Sequence, residues 1–212
     1  MKTSCTRTLI GALAALAVVP AHAQFYVGAS AGRSDVSIDT KKRADEFLDL
    51  GFDSAKTSSD DNDIAYRAFV GYQFMPYLGV EAAYVDLGSF SFRTDVQPTG
   101  SFTGKPKING AELSLVGRLP IGDRFAVYAR AGAFRARTRT AYAGDGSVEL
   151  ADGAERQSKH GTEPAYAVGA SYAFTPSLGL RAEWARYMNL GGELTGGKTN
   201  ANLVSVGLVY SF

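Results

Sequence analysis

The sequence predicts an all-β protein, an eight-stranded antiparallel up-and-down transmembrane β-barrel, made after removal of an N-terminal signal peptide. Three observations support this. The N-terminus has the layout of a secretory signal, and eight later segments alternate between an apolar face and a small or polar face. The links between these segments alternate between short and long, as in barrels that cross a membrane.

Residues 1–23 form the predicted signal peptide. Lys2 and Arg7 precede an apolar run from Leu9 to Val19, and Ala21-His22-Ala23 supplies the small residues that a signal peptidase requires. The run is too short for a membrane-anchoring helix, which needs about 20 apolar residues. We therefore expect cleavage after Ala23.

The remaining residues, 24–212, form one predicted domain. Removing the signal leaves 20 Lys and Arg against 21 Asp and Glu, a balance that does not favour nucleic acid as a partner. The only cysteine, Cys5, leaves with the signal, so the mature chain has no disulfide. No cofactor is expected.

Eight predicted strands follow at period two. In the second segment Tyr66 and Val70 share the outward face, whereas Arg67, Phe69 and Gly71 share the inward face. The small residues on the inward faces suit the crowded interior of a narrow barrel. The predicted segments are 24–36, 63–74, 78–92, 107–119, 125–141, 163–174, 178–188 and 200–212.

The links divide into two classes. Three are short enough for hairpin turns, at 75–77, 120–124 and 175–177, and the other four span roughly 26, 14, 21 and 11 residues. Short periplasmic turns and long extracellular loops are typical of outer-membrane barrels.

A soluble barrel or sandwich is the main alternative fold. Its apolar residues would point inward, and it would not place Tyr and Phe at the ends of the outward rows, where membrane barrels carry aromatic girdles. The outward rows of this sequence end on such residues, for example Phe74, Phe174 and Phe212.

The last segment resembles the OmpA and OmpX type of small outer-membrane barrel. It ends Val206-Gly207-Leu208-Val209-Tyr210-Ser211-Phe212, with Leu208, Tyr210 and Phe212 outward. The resemblance implies a location in the outer membrane of a Gram-negative bacterium and recognition of these three residues by the barrel-assembly machinery. OmpA proteins proper add a peptidoglycan-binding domain. Because the sequence stops at Phe212, we do not expect peptidoglycan anchoring.

Seven charged residues fall on the inward parity and form a predicted polar cluster in the lumen. Glu81 and Arg118 should be close, since each lies a few residues above a short turn on neighbouring strands. The cluster is either a satisfied polar core or, as proposed for OmpA-like barrels, a salt-bridge gate. Its predicted members are Arg67, Glu81, Glu112, Arg118, Arg130, Arg181 and Glu183.

A row of arginines continues the outward face of the fifth segment above its apolar part. Arg135, Arg137 and Arg139 either contact lipopolysaccharide phosphates or belong to a solvated extension of the strand. The sequence does not separate these two interpretations.

Metal binding and catalysis find little support. Asp60, Asp61 and Asp63 lack the glycine and distal glutamate of a calcium loop. His160 is the only histidine after the signal, in a predicted loop. Lipid A deacylases carry a His-x-Ser pair on the lipid-facing wall, whereas here Ser158 precedes His160. We expect no metal site and no enzyme.

The leading functional hypothesis is a monomeric barrel that supports the envelope and presents its loops for surface contact or adhesion. The first loop contains Lys41-Lys42-Arg43 and apolar residues from Phe47 to Phe52, which either form a helical turn packed on the barrel rim or face such a partner. A narrow conduit for small solutes is the second hypothesis, and a lipid A-modifying enzyme is the third. Outer-membrane lipids and lipopolysaccharide are the expected partners.

Overall fold

The computed structural model describes residues 24–36, 54–60, 62–97, 100–146, 156–190 and 199–212. No helix in this part of the chain is long and apolar enough to cross a membrane. The strands are β1 (Gln24–Val36), β2 (Ser54–Asp60), β3 (Asn62–Met75), β4 (Leu78–Ser89), β5 (Ser91–Gln97), β6 (Gly100–Ile121), β7 (Phe125–Gly146), β8 (Arg156–Ala173), β9 (Leu178–Leu190) and β10 (Thr199–Ser211).

Eight of these strands form a closed antiparallel barrel, which confirms the predicted fold class. Around the ring the order is β6, β4, β3, β1, β10, β9, β8 and β7, and β7 pairs again with β6. A path from Arg135 through the paired residue on each successive strand returns to β7 at Phe125, ten residues nearer the short turn. This stagger means that the strands are tilted, as closure requires.

The predicted long loops are partly strand. β6 begins at Gly100, β7 continues to Gly146 and β8 already starts at Arg156, so these strands project past the apolar band. β2, inside the predicted first loop, pairs with β5, which pairs with the upper part of β6. Backbone pairing extends these strands without the apolar alternation on which the sequence prediction relied. The apolar group of the first loop, Phe47 to Phe52, and Asp61 lie outside the described residues.

The outer surface is apolar and bounded by aromatic residues. Leu113 and Leu115 are each 64% exposed, as expected for side chains that face lipid. The stagger of ten residues is shared by eight strands. Residues at the same height along the barrel axis are therefore offset by about one position from the paired residue on the neighbouring strand. By this measure Tyr66, Tyr84, Tyr166 and Trp184 lie at one height and form an upper girdle near the long-loop end.

The short turns close the opposite end of the barrel. Gly122 adopts a φ of 70° in the link between β6 and β7, a conformation that favours glycine. In the link between β8 and β9, the Leu178 amide donates to the Thr175 hydroxyl at 2.9 Å. We refer to this as the short-turn end and to the other as the long-loop end.

Candidate functional site

Six buried charges form a closed ring inside the barrel. Arg67 donates to Glu81 at 2.6 Å, and Arg181 binds the other oxygen of the same carboxylate. Arg130 binds Glu183 through two nitrogens, at 3.0 and 2.8 Å, and also binds Glu112. Arg181 to Glu183 at 3.7 Å and Arg67 to Glu112 at 3.9 Å complete the circuit of alternating charges.

The ring spans the full width of the lumen. Glu81 on β4 and Arg181 on β9 lie on strands that are four places apart in the eight-stranded ring, and so on opposite walls. All six side chains are at most 8% exposed. Three arginines and three glutamates give the ring no net charge, which offsets part of the cost of removing each charge from water.

Hydroxyl groups add further hydrogen bonds to the carboxylates. Tyr26 donates to Glu81 at 3.0 Å, Tyr128 to Glu183 at 2.9 Å, and Tyr187 to Glu112 at 3.1 Å. Ser114 also donates to Glu112. Each carboxylate therefore accepts bonds from at least one arginine and one hydroxyl, the condition under which a buried polar network is stable.

Two glycines make room for the tyrosines. A Cβ atom at Gly71 would meet the ring of Tyr26, and a Cβ atom at Gly169 would meet the hydroxyl of Tyr128. The small residues of the inward rows thus determine where the large hydroxyl donors fit.

Aromatic rings flank two of the arginines. The guanidinium of Arg181 lies 3.9 Å from the ring centroid of Tyr128 and 4.9 Å from that of Phe69, and Arg67 lies 4.6 Å from Phe69. Among the described residues, the Nε atoms of Arg67 and Arg181 have no hydrogen-bond partner. These π contacts supply part of the environment that water would otherwise provide.

A buried apolar layer covers the ring on its long-loop side. The rings of Phe134 and Tyr187 pack at 4.8 Å between centroids, and both residues are fully buried. On β4, β6, β7 and β9 these residues lie further toward the long-loop end than the ring residue of the same strand. The layer comprises Val36, Ala65, Val85, Leu87, Phe90, Ile108, Phe134, Ala136, Ala165, Tyr187, Leu190, Ala201 and Leu203.

On the other side of the ring, a cavity of about 290 Å³ opens at the short-turn end. Arg181 lines it together with Arg118 and Asp123. Arg118 itself is exposed and takes no part in the charged ring. The expected contact between Glu81 and Arg118 is wrong, because the registered partner of Glu81 on β6 is Ser114, four residues further from the short turn.

Comparison with known proteins agrees with this architecture. The model of the family described as the OmpA-like transmembrane domain matches residues 20–212. The chain belongs to this family. Outer membrane protein A of Salmonella typhi is 31% identical over 208 residues, covering 95% of this chain and 53% of the relative. Outer membrane protein A of Shigella flexneri is 30% identical over 203 residues, covering 93% and 55%. The chain spans about half the length of the curated relatives it matches.

Solved structures of low sequence identity share the fold. The Neisserial surface protein A matches with a TM-score of 0.53 at 19% identity, covering 89% of this chain and 97% of that protein. Ail, the attachment invasion locus protein of Yersinia pestis, in complex with the heparin analogue sucrose octasulfate, matches with a TM-score of 0.52 at 15% identity, covering 90% and 99%. The OmpA-like chain is thus an outer-membrane β-barrel.

The outer face of this OmpA-like barrel carries the arginine row. Arg135, Arg137 and Arg139 are exposed on β7, on the long-loop side of the upper girdle. Ser158 and His160 lie beside them on β8, rather than in a loop as the sequence predicted.

Two further predicted features have defined positions. Asp63 accepts hydrogen bonds from the amides of Ile64 and Ser89, and the described residues contain no group of three or more metal-ligating side chains. On β10, Leu208 and Tyr210 face outward, and Phe212 follows the strand, is 74% exposed and contacts Tyr210.

Several residues of the OmpA-like site were not singled out from the sequence. Tyr26, Tyr128 and Tyr187 complete the ring, and Lys105 and Lys107 lie beside the arginine row. Their parity was available in the sequence, but tyrosine and lysine are common on either face, so only the register shows which charges they meet.

Proposed function

We propose that this chain is a closed, non-conducting and non-catalytic barrel that acts as a monomer, supports the outer membrane and presents its long-loop end for surface contacts. The observation that carries the proposal is the filling of the lumen by two layers in series. One layer is the neutral ring of six charges, and the other is the apolar layer above it.

The two layers oppose ion passage for different physical reasons. Opening the ring leaves buried charges without partners, which costs about 3–5 kcal/mol for a single broken pair. Opening the apolar layer requires large side chains such as Phe134 and Leu87 to leave a packed environment, at about 1.5–3 kcal/mol each. A rotamer change at one arginine therefore does not connect the two ends of the barrel.

A narrow conduit for small solutes is the second candidate function. The cavity at the short-turn end favours it, because that cavity leads from the surface to Arg181 in the ring. A conduit of this kind needs a continuation on the far side, where Leu87, Ile108 and Phe134 are fully buried.

Planar-bilayer conductance of refolded protein separates the two functions. We expect no defined ion current from the unmodified chain or from Glu81→Ala, in which the ring is broken but the apolar layer is intact. Combining Glu81→Ala with Leu87→Ala and Phe134→Ala should produce current, because both layers then have gaps.

A matched control removes two large side chains from the lipid-facing wall instead, at Leu113 and Leu115. The variant that combines Glu81→Ala with Leu113→Ala and Leu115→Ala should give no ion current. Defined current from the unmodified chain, or from Glu81→Ala alone, would establish the conduit and reject the closed scaffold.

The proposal includes the route to the membrane. Residues 1–23 direct export and are removed, and the barrel-assembly machinery inserts the chain into the outer membrane of a Gram-negative cell. The strands that project at the long-loop end, including β2 and β5, provide the surface for partners outside the cell.

A further inference from the structure

Three adjacent strands present a concentrated positive surface just above the upper aromatic girdle. Paired positions on β6 and β8 flank the arginine row of β7: Lys107 is the partner of Arg139, and His160 is the partner of Arg137. We call this surface the basic face. It consists of Lys105, Lys107, Arg135, Arg137, Arg139 and His160, all exposed.

The charges of the basic face are nearly uncompensated. Its strands carry no carboxylate at the outward positions from Lys105 to Ala111, from Arg135 to Ala143 and from Ser158 to Tyr166. Lys107 pairs with Asp86 of the neighbouring strand β4 at 3.1 Å. Within the described part of the chain the three arginines form no ion pair, which leaves their planar donor groups available.

The position of the face identifies the environment it meets. Arg135 lies about three residues above the height of Tyr84 and Tyr166, at the level where lipid headgroups begin. The face extends roughly 14 Å along β7 and about 10 Å across three strands, given the usual spacings of a sheet. A flat array of this size matches several phosphate groups on lipid molecules lying beside the wall rather than one small ion.

We propose that the basic face binds the phosphate groups of outer-leaflet lipopolysaccharide. Each arginine offers a fork of N–H donors that fits a phosphate oxygen pair, and Lys105 and Lys107 add point charges beside it. Because the basic charges lie on three neighbouring strands and not on β7 alone, we expect the lysines of β6 to bind phosphate together with the arginines. This inference is independent of whether the lumen conducts.

Binding of labelled lipopolysaccharide to the refolded, detergent-solubilised barrel tests the proposal. Arg135→Ser with Arg137→Ser and Arg139→Ser should weaken binding by about tenfold or more at low salt, and the difference should shrink as salt rises. Lys105→Ser with Lys107→Ser should weaken binding severalfold while leaving the arginines in place. The unmodified chain should bind dephosphorylated lipopolysaccharide no more tightly than the triple arginine variant binds intact lipopolysaccharide.

The matched control removes three other arginines: Arg93→Ser, Arg118→Ser and Arg124→Ser. It changes the net charge equally but leaves the basic face intact, so binding should stay within about twofold of the unmodified chain. Equal weakening by the two triple variants, or binding insensitive to every variant and to salt, would overturn the proposal.

Two soluble competitors distinguish the source of the anion. Inorganic phosphate and sucrose octasulfate should displace lipopolysaccharide only at large excess, because neither combines phosphate with an acyl chain against the apolar wall. Displacement at equimolar concentration would overturn the lipid assignment in favour of a soluble anion. A gel-mobility shift on boiling verifies the fold of each variant, and the lysine pair serves as the test if the arginine variant does not fold.

Discussion

At the scale of single residues, Glu81 shows how the lumen is built. It binds Arg67 on the adjacent strand, Arg181 on the opposite wall and the hydroxyl of Tyr26. Long arginine side chains reach across a narrow barrel, so a carboxylate can find partners on strands that are distant in the ring. Removing Glu81 leaves two arginines short of a partner in a space with little water.

A double-mutant cycle on Glu81 and Arg67 measures this dependence. We expect Glu81→Ala to lower the free energy of unfolding by about 3–5 kcal/mol, because it leaves buried charges unpaired. The double change with Arg67→Ala should cost less than the sum of the two single changes, with a coupling of about 1 kcal/mol or more. Urea unfolding of the refolded protein in lipid vesicles provides the values.

Arg118 supplies the control for that cycle. It lies four residues along β6 from the registered partner of Glu81, roughly 13 Å away along the strand. The coupling of Glu81 with Arg118 should be near zero. A coupling as large as that of Arg67 would contradict the register of β4 and β6.

The charged residues of the lumen also show which features the sequence could predict and which it could not. Alternation at period two predicted the face of Arg67, Glu81 and Glu112, because parity depends only on the strand. It did not predict their partners, because the stagger between strands and the reach across the lumen are properties of the closed ring. The predicted contact between Glu81 and Arg118 assumed that all short turns lie at the same height. The stagger between strands places these turns at different heights.

At the scale of elements, β10 has two roles that can be separated. It closes the barrel by pairing with β1 and β9, and its outward residues end near Phe212. The ring of Phe212 packs only against that of Tyr210 among the described aromatic contacts, while its amide donates to the carbonyl of Phe25 at 3.0 Å. The side chain therefore contributes little to packing within the barrel.

Phe212→Ala should reduce assembly in cells far more than it reduces stability after refolding in vitro. The backbone bond to Phe25 does not need the aromatic ring, so the free energy of unfolding should change by less than about 1 kcal/mol. Quantifying barrel in isolated outer membranes, beside urea unfolding of the refolded variant, gives the two effects.

Phe174→Ala is the matched variant for this comparison. Phe174 is also an exposed aromatic at the short-turn end and packs edge-on against Tyr172. Loss of assembly restricted to the Phe212 variant supports recognition of the last strand. Equal effects of the two variants, in cells and in vitro, would leave only a general role of interfacial aromatics.

Strand ends were the weakest part of the prediction at this scale. The apolar bands of all eight barrel strands were recognised, yet β6, β7 and β8 extend well beyond them. The extensions are rich in Gly, Ser, Thr and Lys, and their stability comes from pairing with neighbours rather than from an apolar face. Composition alone makes such segments resemble loops.

At the scale of the whole molecule, closure means that the transmembrane strands have no free edge. Every barrel strand pairs on both sides, so its backbone donors and acceptors are satisfied without water. Detergent molecules consequently find no unpaired strand at which unfolding can begin.

Electrophoresis without heating should therefore show a folded species that migrates differently from the boiled chain. We expect a single band of the folded barrel before boiling and a band at a different position afterwards, because only heat opens the barrel. Far-ultraviolet circular dichroism of the same samples should show loss of β structure on boiling. Identical mobility before and after boiling would contradict a closed barrel.

The ten-residue stagger also constrains how such a chain can change over evolution. A path through paired residues around the barrel must return to its starting strand an even number of residues from where it began. With an odd number, lipid-facing and lumen-facing side chains would exchange places. Deleting one residue within the apolar band of β7 would put Arg130 against lipid and Ala129 inside. Single insertions are thus compatible only with places such as the irregularity between Asp86 and Gly88, above the ring, where φ of Gly88 is 91°. Length variation should accumulate past that level or beside the short turns, where β3 is irregular between Gln73 and Met75, and the regular walls in between should change by substitution alone.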